Sequence, residues 1–242
     1  MPTPVGHSLA GIAVALAGEH GGRLRDFRGF LARPTTVVCV ALATLPDVDL
    51  LFPGFHGTAT HSVTATIVVA IVAAAMATWA TSGTSGTTDA FHRIAWSAVV
   101  MYAAAHGSHI LLDWLNCDLS ERPGIQVLWP FTDRRFTSGW CVFPGEERRH
   151  IFTVAAMARN LTVLAWELGI LGPIVAALWW LRQGRQNREV KPGCGYPRAP
   201  ASSDLSELHV CQPVPRSVDL HYSKTLGAMN RMRKRFGRKH LR

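Results

Sequence analysis

SVTATIVVAIVAAAMATWATS, residues 62–82, contains no charged residue. A helix of about 20 apolar residues crosses the hydrocarbon core of a bilayer, so this stretch predicts a membrane-spanning helix. Four further segments are apolar in the same way: 5–18, 35–53, 94–115 and 160–181. Small residues recur in all five segments, as expected where membrane helices pack closely. The sequence therefore predicts an all-α, multi-span helical membrane protein with about five apolar helices.

Positive charge is concentrated at the C-terminal end of the chain. Residues 182–242 hold 14 of the 25 Lys and Arg residues against four acidic residues, so they account for the whole net charge of +9. A segment so rich in Arg, Lys, Pro and Ser buries too little apolar surface to fold alone. We therefore predict a helical membrane domain at 1–181 and a basic, mostly disordered cytoplasmic tail at 182–242. The tail is expected to bind an anionic lipid surface, and it has no pattern that predicts specific nucleic-acid binding.

Arginines predict the orientation of the chain in the inner (plasma) membrane. Four arginines lie between residues 23 and 33, and the positive-inside rule places them and the basic tail in the cytoplasm. The 54–61 turn and the 117–159 loop then face the other side. Six arginines in the 117–159 loop oppose this assignment. Cys117 and Cys141 lie in that loop and can pair if it is extracytoplasmic.

Histidines, acids and one asparagine fall at one face of the membrane in this arrangement of spans. They are His7, Asp47, Asp49, His56, His61, His106, His109, Asp113 and Asn116. A carboxylate in hydrocarbon costs on the order of 2.5–3.5 kcal/mol, so the acids need compensating partners. His109 and Asp113 are four residues apart and share a helix face, where they can bind one divalent ion or orient one another. Mixed His and Asp donors suit zinc, manganese or iron better than calcium.

An ordered set of motifs resembles a known family. GHSLAG, LPDVDLL, HGTATHS, SHILLDWLN and GIQVLWPFTDRRF occur in the order seen in the YdjM-like family of inner-membrane proteins, which are described as metal-dependent hydrolases. The resemblance covers residues 5–140 and implies a set of metal ligands: His7, Asp47, His61, His109 and Asp113, with Asp49 as a further ligand or an orienting group. Family members often carry an arginine in an HRGxTHS string, which this chain lacks. Some members are labelled as binding the LexA repressor, and no residue here carries that label over.

Together these features predict a membrane-bound metal-dependent hydrolase that acts on a phosphoester or lipid-like substrate, with zinc as the expected ion. His56, His106 and Asn116 are candidates for a general base or a substrate contact. Arg134 and Arg135 can hold an anionic group such as a lipid phosphate, or anchor the loop to headgroups. Two alternatives stay open: a metal-binding transporter or sensor without turnover, and a membrane-anchored interaction protein that acts through its basic tail.

Overall fold

The computed structural model describes residues 1–19, 26–51, 57–82, 89–117, 123–147 and 152–189. Within these ranges the helices are α1 (Pro4–Gly18), α2 (Phe27–Leu31), α3 (Pro34–Thr44), α4 (Val63–Ser82), α5 (Asp89–Trp114) and α6 (Val154–Glu189). Two 3₁₀ turns, Leu45–Leu51 and Ala59–His61, and two short strands, β1 (Asn116–Cys117) and β2 (Phe143–Pro144), complete the described elements. The predicted all-α fold is confirmed. Four predicted apolar segments each correspond to one α-helix, whereas the segment 35–53 is α3 followed by the 3₁₀ turn Leu45–Leu51, with residues 52–53 outside the described ranges. The short helix α2 is an addition that the apolar pattern did not predict.

Within the described residues, three stretches are long and apolar enough to cross a membrane: Pro34–Leu51, Val63–Thr81 and Val154–Gln186. The clearest is α4, where Ile67, Val68 and Ile71 each expose more than half of their surface. Exposing these apolar side chains to water would cost free energy, whereas contact with apolar lipid tails would not. Helix α1 is shorter, and α5 carries several polar residues among its apolar ones. These two helices pack against each other and against α3, so their polar residues can find partners between helices.

Helix α1 lies at the centre of the bundle and packs against α3, α5 and α6. A Cβ atom at Gly11 would lie 2.8 Å from the Cys39 carbonyl oxygen and 2.9 Å from Val40 Cα. Only glycine therefore lets the backbones of α1 and α3 approach this closely. Around this contact the buried core includes Ala15, Leu16, Phe30, Cys39, Met101, Ala105 and Val175. This packing fixes α1 relative to the other helices that carry the site.

An ionic cluster closes the C-terminal end of α1. Glu19 lies 3.0 Å from the Arg33 guanidinium and 3.6 Å from that of Arg182. Arg182 Nη1 also donates to the carbonyl oxygen of Leu16 at 3.3 Å. Helix α1 thus has basic residues at one end and the predicted site residue His7 near its other end.

The loop that follows α5 is held by a disulfide and by backbone pairing. Cys117 and Cys141 form a disulfide, and β1 pairs with β2 in parallel. The pairing that the sequence left conditional is therefore present in the structure. The Val63 amide donates to the Val127 carbonyl oxygen at 2.9 Å, so the loop contacts the start of α4. Helix α6 continues past residue 181 to Glu189, and the rest of the predicted tail lies outside the described residues.

Candidate metal centre

Four elements that are distant in sequence bring the predicted ligands together. His7 lies in the second turn of α1, and Asp47 lies in the 3₁₀ turn that follows α3. His61 ends the second 3₁₀ turn, and α5 supplies His109 and Asp113 one helical turn apart. The three histidines are fully buried. These five side chains form two overlapping groups whose donor atoms could hold a metal ion, one of His7, Asp47 and His109 and the other of His61, His109 and Asp113.

The tightest part of the cluster is a triangle of donor atoms. His61 Nε2 and His109 Nε2 are 3.0 Å apart, and Asp113 Oδ2 lies 3.2 Å from each of them. Tetrahedral zinc with bonds of about 2.0–2.1 Å requires its ligand atoms to be about 3.3 Å apart. The triangle already has nearly this spacing, so these three side chains fit a small divalent cation with little movement.

Hydrogen bonds at the far ring nitrogens orient two of the histidines. His109 Nδ1 donates to the Ala43 carbonyl oxygen at 2.8 Å, so the proton resides on Nδ1 and the Nε2 lone pair faces the cluster. His61 Nδ1 lies 3.1 Å from Asp49 Oδ2. A carboxylate or carbonyl behind a metal-binding imidazole fixes its tautomer and raises its basicity. Both Nε2 atoms are therefore turned toward the cluster.

Asp49 also organises the backbone around His61. Its Oδ2 accepts a hydrogen bond from the Gly57 amide at 3.1 Å and another from the Thr60 hydroxyl at 2.8 Å. The carboxylate thus lies on the Nδ1 side of His61, away from the Nε2 triangle. Of the two roles considered for Asp49, this position favours the orienting one.

The pKa of His61 depends on the carboxylates on both sides of its ring. Burial lowers the pKa of His61, but hydrogen bonds with Asp113 and Asp49 outweigh burial and raise the pKa to about 9. A cation bound at Nε2 would take the place of the proton that these carboxylates favour.

Several buried polar atoms of the cluster have no hydrogen-bond partner within the described residues. They are both ring nitrogens of His7 and both carboxylate oxygens of Asp47. The Asp113 carboxylate has histidine nitrogens beside it, at 3.2–3.5 Å. Burying a charged or polar group without a partner costs several kcal/mol by order of magnitude. A divalent cation would interact with His7 Nε2 and with the carboxylates of Asp47 and Asp113, so the donor set fits a metal ion of the zinc, manganese or iron class.

The other predicted residues lie at varying distances from this cluster. His106 is buried, and its Nδ1 lies 2.9 Å from the Thr66 hydroxyl, so it belongs to neither ligand group. Asn116 is buried in β1, three residues after Asp113, and its side-chain amide has no hydrogen-bond partner within the described ranges. His56 lies outside the described residues.

The two arginines of the WPFTDRRF motif differ in environment. Arg135 Nη1 donates to the Gly124 carbonyl oxygen at 2.8 Å and lies close to Gly57, whose amide contacts Asp49. Arg134 is exposed. Arg135 therefore supports the loop beside the site, whereas Arg134 is accessible to an external anion.

Sequence reasoning did not find Glu167 or Thr3 as parts of this region. Glu167 is fully buried in α6 and accepts hydrogen bonds from Thr3, the residue that caps α1. A single acid within the apolar pattern of residues 160–181 was the one signal that pointed to it.

Comparison with known families gives a match that covers most of the chain. The family model for YdjM inner membrane protein matches residues 1–187. Comparison with curated proteins and with solved structures found no match. The matched range includes every residue of the donor cluster.

Proposed function

Because the chain belongs to the YdjM family of inner membrane proteins, we propose that its buried His/Asp cluster is the centre of a membrane-bound, metal-dependent hydrolase. The observation that carries the proposal is the triangle formed by His61 Nε2, His109 Nε2 and Asp113 Oδ2, with separations of 3.0–3.2 Å. A divalent cation held there would act as a Lewis acid toward water and toward a phosphoryl or carbonyl oxygen.

The residues of the chain have separate tasks in this proposal. His61, His109 and Asp113 would hold the cation, with Asp47 completing the donor set, and Asp49 would keep the His61 ring in its binding tautomer. Asn116 remains a candidate for contacting substrate or water, because its buried amide has spare donors and acceptors. His106 is a candidate base, since its ring lies on the same helix as two of the ligands.

The surroundings of Asp47 favour a lipid-like substrate. The 3₁₀ turn Leu45–Leu51 buries Asp49 but exposes Val48, Leu50 and Leu51, which we call the apolar rim. In a membrane protein such exposed apolar side chains are compatible with acyl chains. A phosphoester whose headgroup reaches the cluster while its tail contacts the apolar rim would match both features. Arg134 would contact the anionic part of such a headgroup.

Two features support an extracytoplasmic position for the site. The Cys117–Cys141 disulfide lies in the loop beside the cluster, and disulfides persist mainly in oxidising compartments. Arg33 and Arg182 lie at the opposite end of α1, as the positive-inside rule requires if that end is cytoplasmic. We therefore propose that the substrate is a component of the outer leaflet or of the cell envelope.

Hydrolysis can be tested directly on the full-length protein in detergent. Zinc-, manganese- and iron-loaded samples would be assayed against phosphomonoesters, phosphodiesters and phospholipids in mixed micelles. We expect one class to be hydrolysed, with the activity lost in Asp113→Asn and retained in Asp133→Asn, whose side chain is exposed. Failure of the metal-loaded protein to hydrolyse any class, or equal activity in Asp113→Asn, would reject the hydrolase proposal.

A further inference from the structure

The carboxylates of Asp47 and Asp113 each face two histidine groups at once. Asp113 Oδ2 lies 3.2 Å from His61 Nε2 and from His109 Nε2, whereas Asp113 Oδ1 lies 3.5 Å from His7 Nε2. Asp47 repeats this arrangement: its Oδ1 is 3.9 Å from His61 Nε2 and from His109 Nε2, and its Oδ2 is 3.9 Å from His7 Nε2. One oxygen of each acid therefore faces the His61/His109 pair, and the other faces His7.

His7 is one of the buried cluster residues whose side chain makes no hydrogen bond within the described residues. It is fully buried, and neither of its ring nitrogens has a hydrogen-bond partner within the described residues. Its ring stacks on that of His109 with centroids 3.9 Å apart. A buried imidazole without hydrogen bonds is unusual in a folded protein, because each unmade bond has a desolvation cost. His7 Nε2 lies nearest to Asp47 Oδ2 and Asp113 Oδ1, so an ion bound by His7 would also contact these two oxygens.

A single ion that used all five side chains would not fit this chemistry well. Zinc in closed protein sites takes four ligands, and catalytic zinc keeps one position free for water or substrate. Five protein donors around one ion exceed that number and leave no free position. If two ions shared the carboxylates of Asp47 and Asp113, each ion would have fewer protein donors than a single ion would.

We propose that Asp47 and Asp113 bridge two divalent cations, one held by His61 and His109 and the second held by His7. This inference rests on the proposed metal-dependent function and deepens it. Carboxylates that bridge ions about 3.5–4 Å apart are the usual basis of two-metal hydrolytic sites. The second ion has three donors from the described residues, so it retains open positions for an oxygen of the substrate.

Charge balance indicates the class of substrate. Two dications against the carboxylates of Asp47, Asp49 and Asp113 leave one net positive charge, if the histidines are neutral ligands. With a single dication the same set would be negative. A net positive, water-poor centre favours an anionic ligand, so the two-ion centre points to a phosphoester rather than to a neutral carboxylic ester or amide.

Manganese loading of the full-length protein in detergent tests the proposal without any substrate. After removal of metal and titration with Mn²⁺, electron paramagnetic resonance should show an exchange-coupled signal that appears between one and two equivalents. His7→Gln should bind one ion and give an uncoupled signal. Cys39→Ala is the control, because Cys39 is fully buried in the helix core but belongs to neither donor group, and it should retain two coupled ions.

The outcomes separate this inference from the proposed function. One tightly bound ion in the unmodified protein, or an uncoupled spectrum at full loading, would overturn the two-ion centre and leave the metal site standing. No bound ion at all would overturn both. Two coupled ions in the unmodified protein support the proposal even if His7→Gln fails to fold, because the spectrum of the unmodified protein carries the test. Retention of two coupled ions in a folded His7→Gln variant would remove His7 from the centre.

Discussion

The Thr3 amide donates a 2.6 Å hydrogen bond to Glu167 Oε1 across 164 positions of sequence, and the Thr3 hydroxyl donates to Oε2. Thr3 caps the N-terminus of α1, and His7 follows in the next turn. A carboxylate is also favoured next to the N-terminal end of a helix dipole. Glu167 in α6 therefore fixes the end of α1 that presents His7 to the donor cluster.

Replacement of Glu167 by Ala should destabilise the protein and weaken metal binding. The Thr3 donors would remain buried without a partner, which costs about 1–3 kcal/mol. Thermal unfolding in detergent should show a lower midpoint for Glu167→Ala than for Leu168→Ala, whose side chain is partly exposed on the same helix. Equal midpoints for the two variants would show that the contact with Thr3 does not hold α1 in place.

Gly6 should be intolerant of a side chain. A Cβ atom there would lie 2.7 Å from Glu167 Oε2 and 2.8 Å from Glu167 Cδ, so Gly6→Ala must displace the carboxylate or the start of α1. We expect reduced stability and reduced metal content. Gly172→Ala is the matched control, because nothing lies within 4 Å of a Cβ atom at that helical position. Loss of metal in both variants alike would mean that the effect is not specific to Gly6.

The helices and part of the site could be predicted from the sequence because both depend on local patterns. Apolar runs identify spans, and the spacing of His109 and Asp113 places them on one helix face. The order of the predicted spans places His7, Asp47 and His61 at the same membrane face as that pair, and the resembling family implies that they are ligands. No local pattern determines that convergence, since it depends on how the helices pack.

Other features depend on tertiary contacts, which no local pattern in the sequence predicts. Asp49 lies on the Nδ1 side of His61 because of the path of the two 3₁₀ turns. The DxD spacing alone is compatible with either role of Asp49, metal ligand or orienting group. The contact between Glu167 and Thr3 joins the first and the last helix of the membrane domain. Helix α2 was missed because its five residues are too few for a periodic pattern.

The orientation can be checked by labelling with a membrane-impermeant thiol reagent in intact cells. In a background where Cys39, Cys194 and Cys211 are replaced and the Cys117–Cys141 disulfide is kept, Thr137→Cys should react, since it lies exposed in the disulfide loop. Arg28→Cys, exposed in α2, should react only after the cells are permeabilised. The reverse pattern would place the metal centre on the cytoplasmic side and would require a substrate in the inner leaflet.

The basic tail should be dispensable for the centre. Removal of residues 190–242 leaves α6 complete to Glu189 and removes none of the donor residues. The shortened protein should insert into the membrane and bind metal as the full chain does. Its binding to vesicles with anionic lipid should weaken, because residues 190–242 carry 11 Lys and Arg residues against three acidic residues. Loss of metal on truncation would show that the membrane domain needs the tail.

Metal content measured on the purified protein tests the central claim most directly. The full-length protein, prepared in detergent and washed with a weak chelator, should retain zinc, manganese or iron, and Asp47→Ala, His61→Ala and Asp113→Ala should each retain less. Asp133→Ala should match the unmodified protein, because the Asp133 side chain is exposed outside the cluster. Undiminished metal in the three cluster variants, or no retained metal in the unmodified protein, would contradict the account.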